Sequence, residues 1–195
     1  MSGFWQTLNR ADQLATLEIN SWNSPFTDRI WEFFSNIPVW IPMYVVIVAF
    51  LILRLGWKRG LIAIAAAVLT FAFCDQFSNL VKGATERLRP LHDAYMLHNG
   101  LHVLEHGGKF GFFSAHAANS FGLATNTLIS LSIDSKRKYT GYASWMYLWA
   151  VLVSISRVFV GKHFLGDVIV GICVGLFAGW LFGSLAKMII KRFSL

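Results

Sequence analysis

The sequence predicts an all-α, polytopic transmembrane helical bundle, and three observations carry that reading. Hydrophobic residues make up 55% of the 195 and charged residues only 14%, against about a quarter charged in a soluble domain. Several apolar runs approach the ~20 residues that a helix needs to cross a bilayer core. Basic residues gather between those runs at every second junction.

Residues 1–36 mix Trp5, Trp22, Phe26, Trp31, Phe33 and Phe34 with Asp12, Glu18, Asp28 and Glu32. This pattern fits an amphipathic segment lying in the interface; a sixth span is the alternative. The opening residues have no basic start, compact apolar core or small-residue cleavage site, so no cleavable signal peptide is expected. Residues 37–195 are expected to form the bundle. Its five spans are 38–55, 60–81, 115–133 (weaker, rich in small polar residues), 139–159 and 164–190. The stretch 83–114 is too polar to cross and forms an insertion. Cys74 and Cys173 lie in apolar runs and read as buried free thiols.

Charge orients the bundle. Arg54, Lys58 and Arg59, then Lys136, Arg137 and Lys138, then Lys187, Lys191 and Arg192 fall on one face when the spans alternate. The positive-inside rule makes that face, and the C-terminus, cytoplasmic. The clusters account for much of the net charge of +7, so no nucleic-acid partner is needed.

The other face collects Lys82, Arg87, Arg89, Lys109, Arg157, Lys162 and all six histidines. Cations on the outer face run against the insertion bias and call for another explanation. Lys82, Arg89, Arg157 and Lys162 suit phosphate oxygens, arginine by its planar fork and lysine as a point charge. Ser114 and the first amides of the third span add donors at a helix N-terminus. His163 and Asp167 are spaced i, i+4 and share a helix face. An acid there holds one imidazole nitrogen protonated and leaves the other free as a nucleophile. His116 is placed to give a proton to a leaving oxygen. Within the second span, Asp75, Asn79 and Lys82 share a face, which suggests a polar network supporting the site.

In the last span His163, Asp167, Gly171, Gly175, Gly179 and Gly183 recur every four residues. Small residues at this spacing let helices approach closely. The ridge is expected to bury itself in the bundle and turn His163 and Asp167 inward; a homodimer seam along the same glycines is the alternative.

Three segments also carry a resemblance. "KGATERLRP" (82–90) fits K-x-x-x-x-x-x-R-P, "FSAH" (113–116) approximates P-S-G-H, and "SRVFVGKHFLGD" (156–167) fits S-R-x-x-x-x-x-H-x-x-x-D. In this order the chain resembles the type-2 phosphatidic acid phosphatase superfamily of lipid phosphate phosphatases. The resemblance implies that Lys82, Arg89, Arg157 and Ser114 hold the phosphate. His163 then attacks phosphorus to form a phosphohistidine, Asp167 orients His163, and His116 protonates the departing alcohol and later helps activate water. Ser156 belongs to the motif without a clear role. No metal or other cofactor is implied. Phe113 and Ala115 depart from the motif's proline and glycine, and losing glycine removes access to positive φ at little cost.

The expected enzyme is a metal-independent lipid phosphatase of a bacterial inner membrane, with its site at the extracytoplasmic face. Substrates implied are phosphatidate, phosphatidylglycerol phosphate, undecaprenyl diphosphate or lipid A phosphates. A lipid-to-lipid phosphotransferase shares the same chemistry. A small transporter or scaffold is the reading from another class, disfavoured because no internal repeat is evident. "HVLEH" (102–106) formally matches a zinc-protease pattern, but the glycines around it argue against the stable helix such a site requires.

Overall fold

In the computed structural model, which describes residues 3–192, the chain forms eight α-helices: α1 Gly3–Asn20, α2 Pro25–Ser35, α3 Ile41–Leu55, α4 Trp57–Thr85, α5 Ala94–His98, α6 Ala115–Leu131, α7 Thr140–Phe159 and α8 Leu165–Arg192. Residues 1–2 of the expected N-terminal segment and 193–195 of the expected bundle, including the C-terminus, lie outside the described residues.

The N-terminal segment is two helices rather than one. Ser24 caps α2, with a Ser24–Thr27 capping box and Pro25 in the first turn, so the chain breaks at residues 21–24 and starts again. Neither α1 nor α2 is long and apolar enough to cross a membrane. Four segments are: Ile37–Leu55, Trp57–Thr85, Thr140–Phe159 and Leu165–Arg192. They carry large exposed apolar side chains such as Val45, Leu53, Val68, Leu80, Leu148, Trp180 and Met188, a surface that suits lipid rather than water. The chain is an integral membrane protein. The first two spans are joined at Gly56, whose φ of 80° is one that glycine adopts freely.

The weak third span is the bundle's central helix. α6 has 17 residues and is buried nearly all round from Ala117 to Leu131, packed by α4, α7 and α8. Its small polar residues bond sideways. Asn126 Nδ2 donates to Thr70 Oγ1 at 3.0 Å, Thr125 Oγ1 meets the Tyr147 hydroxyl at 3.0 Å, and Tyr142 donates to Thr127 Oγ1 at 2.7 Å. A helix with no lipid-facing stripe has no need of a uniformly apolar sequence.

The glycine ridge of α8 lies on α6. A Cβ at Gly171 would fall 2.5 Å from Ser114 O, and at Gly179 2.5 Å from Gly122 O; one at Gly175 would run into the Ala118 carbonyl. All four glycines are buried within the chain. The face offered as an alternative homodimer seam packs on α6 within the chain.

The basic junctions meet at one end. Arg54, Arg59, Lys136 and Arg137 line one shared cavity, and Lys187 Nζ donates to Ser132 Oγ at 2.8 Å. The insertion gathers at the other end, where Leu88 and Phe110 form an isolated antiparallel bridge.

Candidate active site

The site is built where α7 ends and α8 begins. The Arg157 carbonyl accepts the amides of both Lys162 and His163 at 3.1 Å, which folds the link back on the last turn of α7. Gly161, at φ 77°, makes that reversal against the insertion, and a Cβ there would lie 2.8 Å from the His102 carbonyl. The amides of Leu104 and Glu105 donate to Val160 O at 3.3 Å. Asn20, at the end of α1, completes the junction: its side chain bonds His102 O and Phe159 O at 3.0 Å each and accepts the His102 amide at 2.8 Å.

His163 is 2% exposed and Asp167 is fully buried. His163 Nδ1 lies 3.4 Å from Asp167 Oδ2, and Nε2 lies 3.3 Å from Arg89 Nη1. A guanidinium only donates, so Nε2 must accept and the proton belongs on Nδ1, facing the carboxylate. Burial first, and then the charges of Arg157, Arg89, Lys82 and Lys162, push His163 well below the ordinary imidazole range. That shift favours the neutral ring, and with the proton on Nδ1 its Nε2 lone pair is turned toward Arg89.

The predicted cations converge on it. Arg89 is fixed by its Nε bond to Phe110 O at 3.1 Å and by pairing of its amide with Lys109 O at 3.0 Å. Lys82, in the last turn of α4, lies within electrostatic reach of Arg89, Asp75, Asp167 and Arg157. His116 feels Arg157, His163, Lys162 and Lys82. It lines a cavity of about 590 Å³ together with Arg157, Lys162, Glu105, Ser35 and Glu32. His116, Ser35 and Ile37 also border a narrower slot of about 180 Å³ walled by Phe34, Trp40, Tyr44, Phe71 and Trp149.

Two predicted residues have other duties. Ser114 is the N-cap of α6: its Oγ accepts the Ala117 amide, and its own amide donates to Asp167 O at 3.0 Å. Ser156 Oγ turns back to Val153 O at 2.7 Å. Asp75 is exposed on α4, accepts from Asn119 Nδ2 at 2.8 Å and borders the slot beside His116. The departures from the motif are accommodated. Among the described residues only Glu86 has positive φ without being glycine, so Ala115 opens α6 in an ordinary helical conformation. Phe113 is buried, with its carbonyl held by Ser78 Oγ at 3.2 Å.

Sequence reasoning missed three groups. Ser35, closing α2, accepts Arg157 through both its hydroxyl and its carbonyl. Glu105 pairs with Lys162 at 2.6 Å and lies 3.7 Å from Arg157. Burial alone raises the Glu105 carboxyl, but bonds to Lys162 and Ser35 and the charge on Arg157 outweigh it and hold the group below its usual value. Arg87 and Asp12 lie behind Asp167, with Arg87 bonded to both carboxylates at 2.6 Å. The "HVLEH" stretch is not helical; His102 faces Asp28 at 3.0 Å while Glu105 faces Lys162.

A membrane bundle with a buried histidine among four cations at one end has the chemistry of an anion-handling membrane protein. More specifically, the PAP2 superfamily pattern matches residues 59–190, and the chain belongs to that superfamily. It is 34% identical over 188 residues to a lipid A 4'-phosphatase of Bacteroides thetaiotaomicron, covering 95% of this chain and 81% of that protein. It is 33% identical over 167 residues to the lipid A 4'-phosphatase of Porphyromonas gingivalis, covering 84% and 67%. Its fold is similar to the crystal structure of a transmembrane PAP2-type phosphatidylglycerolphosphate phosphatase from Bacillus subtilis, with TM-score 0.71 and 22% identity over 94% of this chain and 88% of that one. Aquifex aeolicus LpxE gives TM-score 0.61 and 22% identity over 86% and 92%.

Proposed function

We propose that this lipid phosphatase removes a phosphomonoester from a lipid A-type glycolipid through a phosphohistidine on His163, without a metal. The observation that carries the chemistry is the buried His163 with Nε2 3.3 Å from Arg89, in the field of Arg89, Lys82, Arg157 and Lys162. An incoming phosphate draws Arg89, Lys82, Arg157 and Lys162 onto its oxygens and frees Nε2 for attack. The N–P bond forms as the P–O bond to the sugar breaks. The bound phosphate's negative charge offsets the cations around His116 and lets it take up a proton, which it gives to the departing oxygen; the neutral ring then takes one from the water that cleaves the phosphohistidine. Asp167 stabilises the charge that grows on His163.

The choice of lipid A rests on relatives of about one-third identity covering 95% and 84% of this chain. The outer cavity then receives the sugar phosphate at the extracytoplasmic face of a bacterial inner membrane, while the acyl chains remain in lipid. The end holding Arg54, Arg59, Lys136 and Arg137 is cytoplasmic by the positive-inside rule. Residues 3–36 act as an interfacial cover rather than a span.

The test is phosphate release by purified protein in detergent from lipid A, phosphatidylglycerol phosphate, phosphatidate and undecaprenyl diphosphate, with His163→Ala alongside. Lipid A should be preferred, and His163→Ala should be folded and inactive. Appreciable turnover by His163→Ala would overturn the nucleophile. Preference for another lipid would overturn the substrate, and release only with an added acceptor lipid would make the protein a transferase.

A further inference from the structure

We infer that helix α1 is part of the positioning machinery of the site: Asp12 and Thr16 hold the N-terminus of α8, and Asp12 acts through Arg87 to aim Asp167 at His163. The inference rests on the proposed roles of His163 and Asp167.

The first amides of a helix have no partner within it. At the start of α8 three consecutive amides are satisfied by side chains. Phe164 N–H donates to Asp167 Oδ2 at 3.2 Å, Leu165 N–H to Thr16 Oγ1 at 2.9 Å, and Gly166 N–H to Asp12 Oδ1 at 2.8 Å. Two of these caps come from α1, 149 and 154 residues earlier in the chain. The approach is close enough that a Cβ at Gly166 would lie 2.7 Å from Asp12 Oδ2.

The same carboxylate has a second duty. Asp12 Oδ2 accepts Arg87 Nη2 at 2.6 Å, and Arg87 Nη1 donates to Asp167 Oδ1 at 2.6 Å. The Arg87 guanidinium also lies over the Phe164 ring, 4.3 Å from its centroid. Arg87 thus occupies one oxygen of Asp167 and leaves the other to the Phe164 amide and His163 Nδ1. Without that pin a buried carboxylate is free to rotate and is short of compensating charge. Without Asp12, Arg87 has one anchor instead of two. Asp12 also lies outside the family match at 59–190, so this support comes from a part of the chain the motifs do not reach.

Asp12→Asn, Arg87→Lys and Arg87→Met are made in the full chain, and Asp12→Asn also in an Asp167→Asn background. Kinetics are read beside thermal midpoints in detergent. Asn at 12 still accepts the Gly166 amide but opposes Arg87 with its own N–H groups. We expect kcat to fall about tenfold, with KM within about threefold and little change in midpoint. Arg87→Lys should retain more kcat than Arg87→Met. In the Asp167→Asn background, Asp12→Asn should cost less than about twofold, because the partner it acts through is already disabled. An equal kcat loss in both backgrounds, an unchanged kcat, or an effect confined to KM or to stability would overturn the inference. Turnover retained by His163→Ala would instead remove the nucleophile assignment, whatever Asp12 does.

Discussion

His163 is poised by what its two nitrogens face. Asp167 lies on the Nδ1 side and Arg89 on the Nε2 side, and burial among cations pushes the ring's protonation well below the ordinary imidazole range. The depressed protonation has a measurable consequence. Above the unfolded value of about 6.5, His163 is neutral in both states and contributes no pH dependence. Below it, the unfolded chain binds a proton that the folded chain refuses. Stability therefore falls as pH drops from there toward the depressed folded value, by at most about 1.4 kcal/mol per pH unit. Thermal midpoints of the wild type and His163→Gln, measured from pH 8 to pH 5, should diverge below pH 6.5, the wild type losing more. Parallel curves would contradict the buried neutral imidazole. At this scale the sequence was informative where partners are near neighbours: the i, i+4 spacing of His163 and Asp167 flagged the pair, although His163 stands in the link just before α8. The sequence was silent where partners are distant. Arg157 meets Ser35 across 122 residues, and Arg87 meets Asp12 across 75; neither pairing leaves a local trace.

Among the elements, α8 shows how a helix can be specified by what it lacks. Gly171, Gly175, Gly179 and Gly183 bring its backbone against α6, and the ridge that carries them ends in Asp167. Gly175→Val would drive a branched side chain into the Ala118 carbonyl and should cost about 1–3 kcal/mol by overpacking. A lowered midpoint in detergent, with phosphate release lost as the bundle loosens, is the expected result; an unchanged midpoint would contradict the close packing. The ridge was readable because it is periodic. α6 was harder, because burial on every side removes the periodic contrast that marks an amphipathic helix. The break at Ser24–Pro25 carried a legible capping signal, yet the aromatic content of 1–36 suggested one continuous segment.

For the whole molecule, the basic clusters at one end and the histidine site at the other follow from the same alternation of spans. Under the proposed function, the histidine end is where the lipid phosphate would lie while its tails stay in the bilayer. Phosphate release should be unaffected by a chelator such as EDTA. Loss restored by added zinc would overturn the metal-free reading and point back to "HVLEH", whose His102 and Glu105 face Asp28 and Lys162 here.

Hydropathy, charge alternation and three short motifs were enough to derive a membrane bundle, and they singled out His163, His116, Asp167, Lys82, Arg89 and Arg157 as the residues proposed for its site. Those features are local or periodic, and a linear chain displays them directly. Folding alone revealed that Ser114 caps α6, that Ser35 and Glu105 engage the cations, and that α1 reaches across the bundle to hold Asp167 through Arg87. These are contacts between distant segments, created only when helices pack, and no single stretch of sequence encodes their distances.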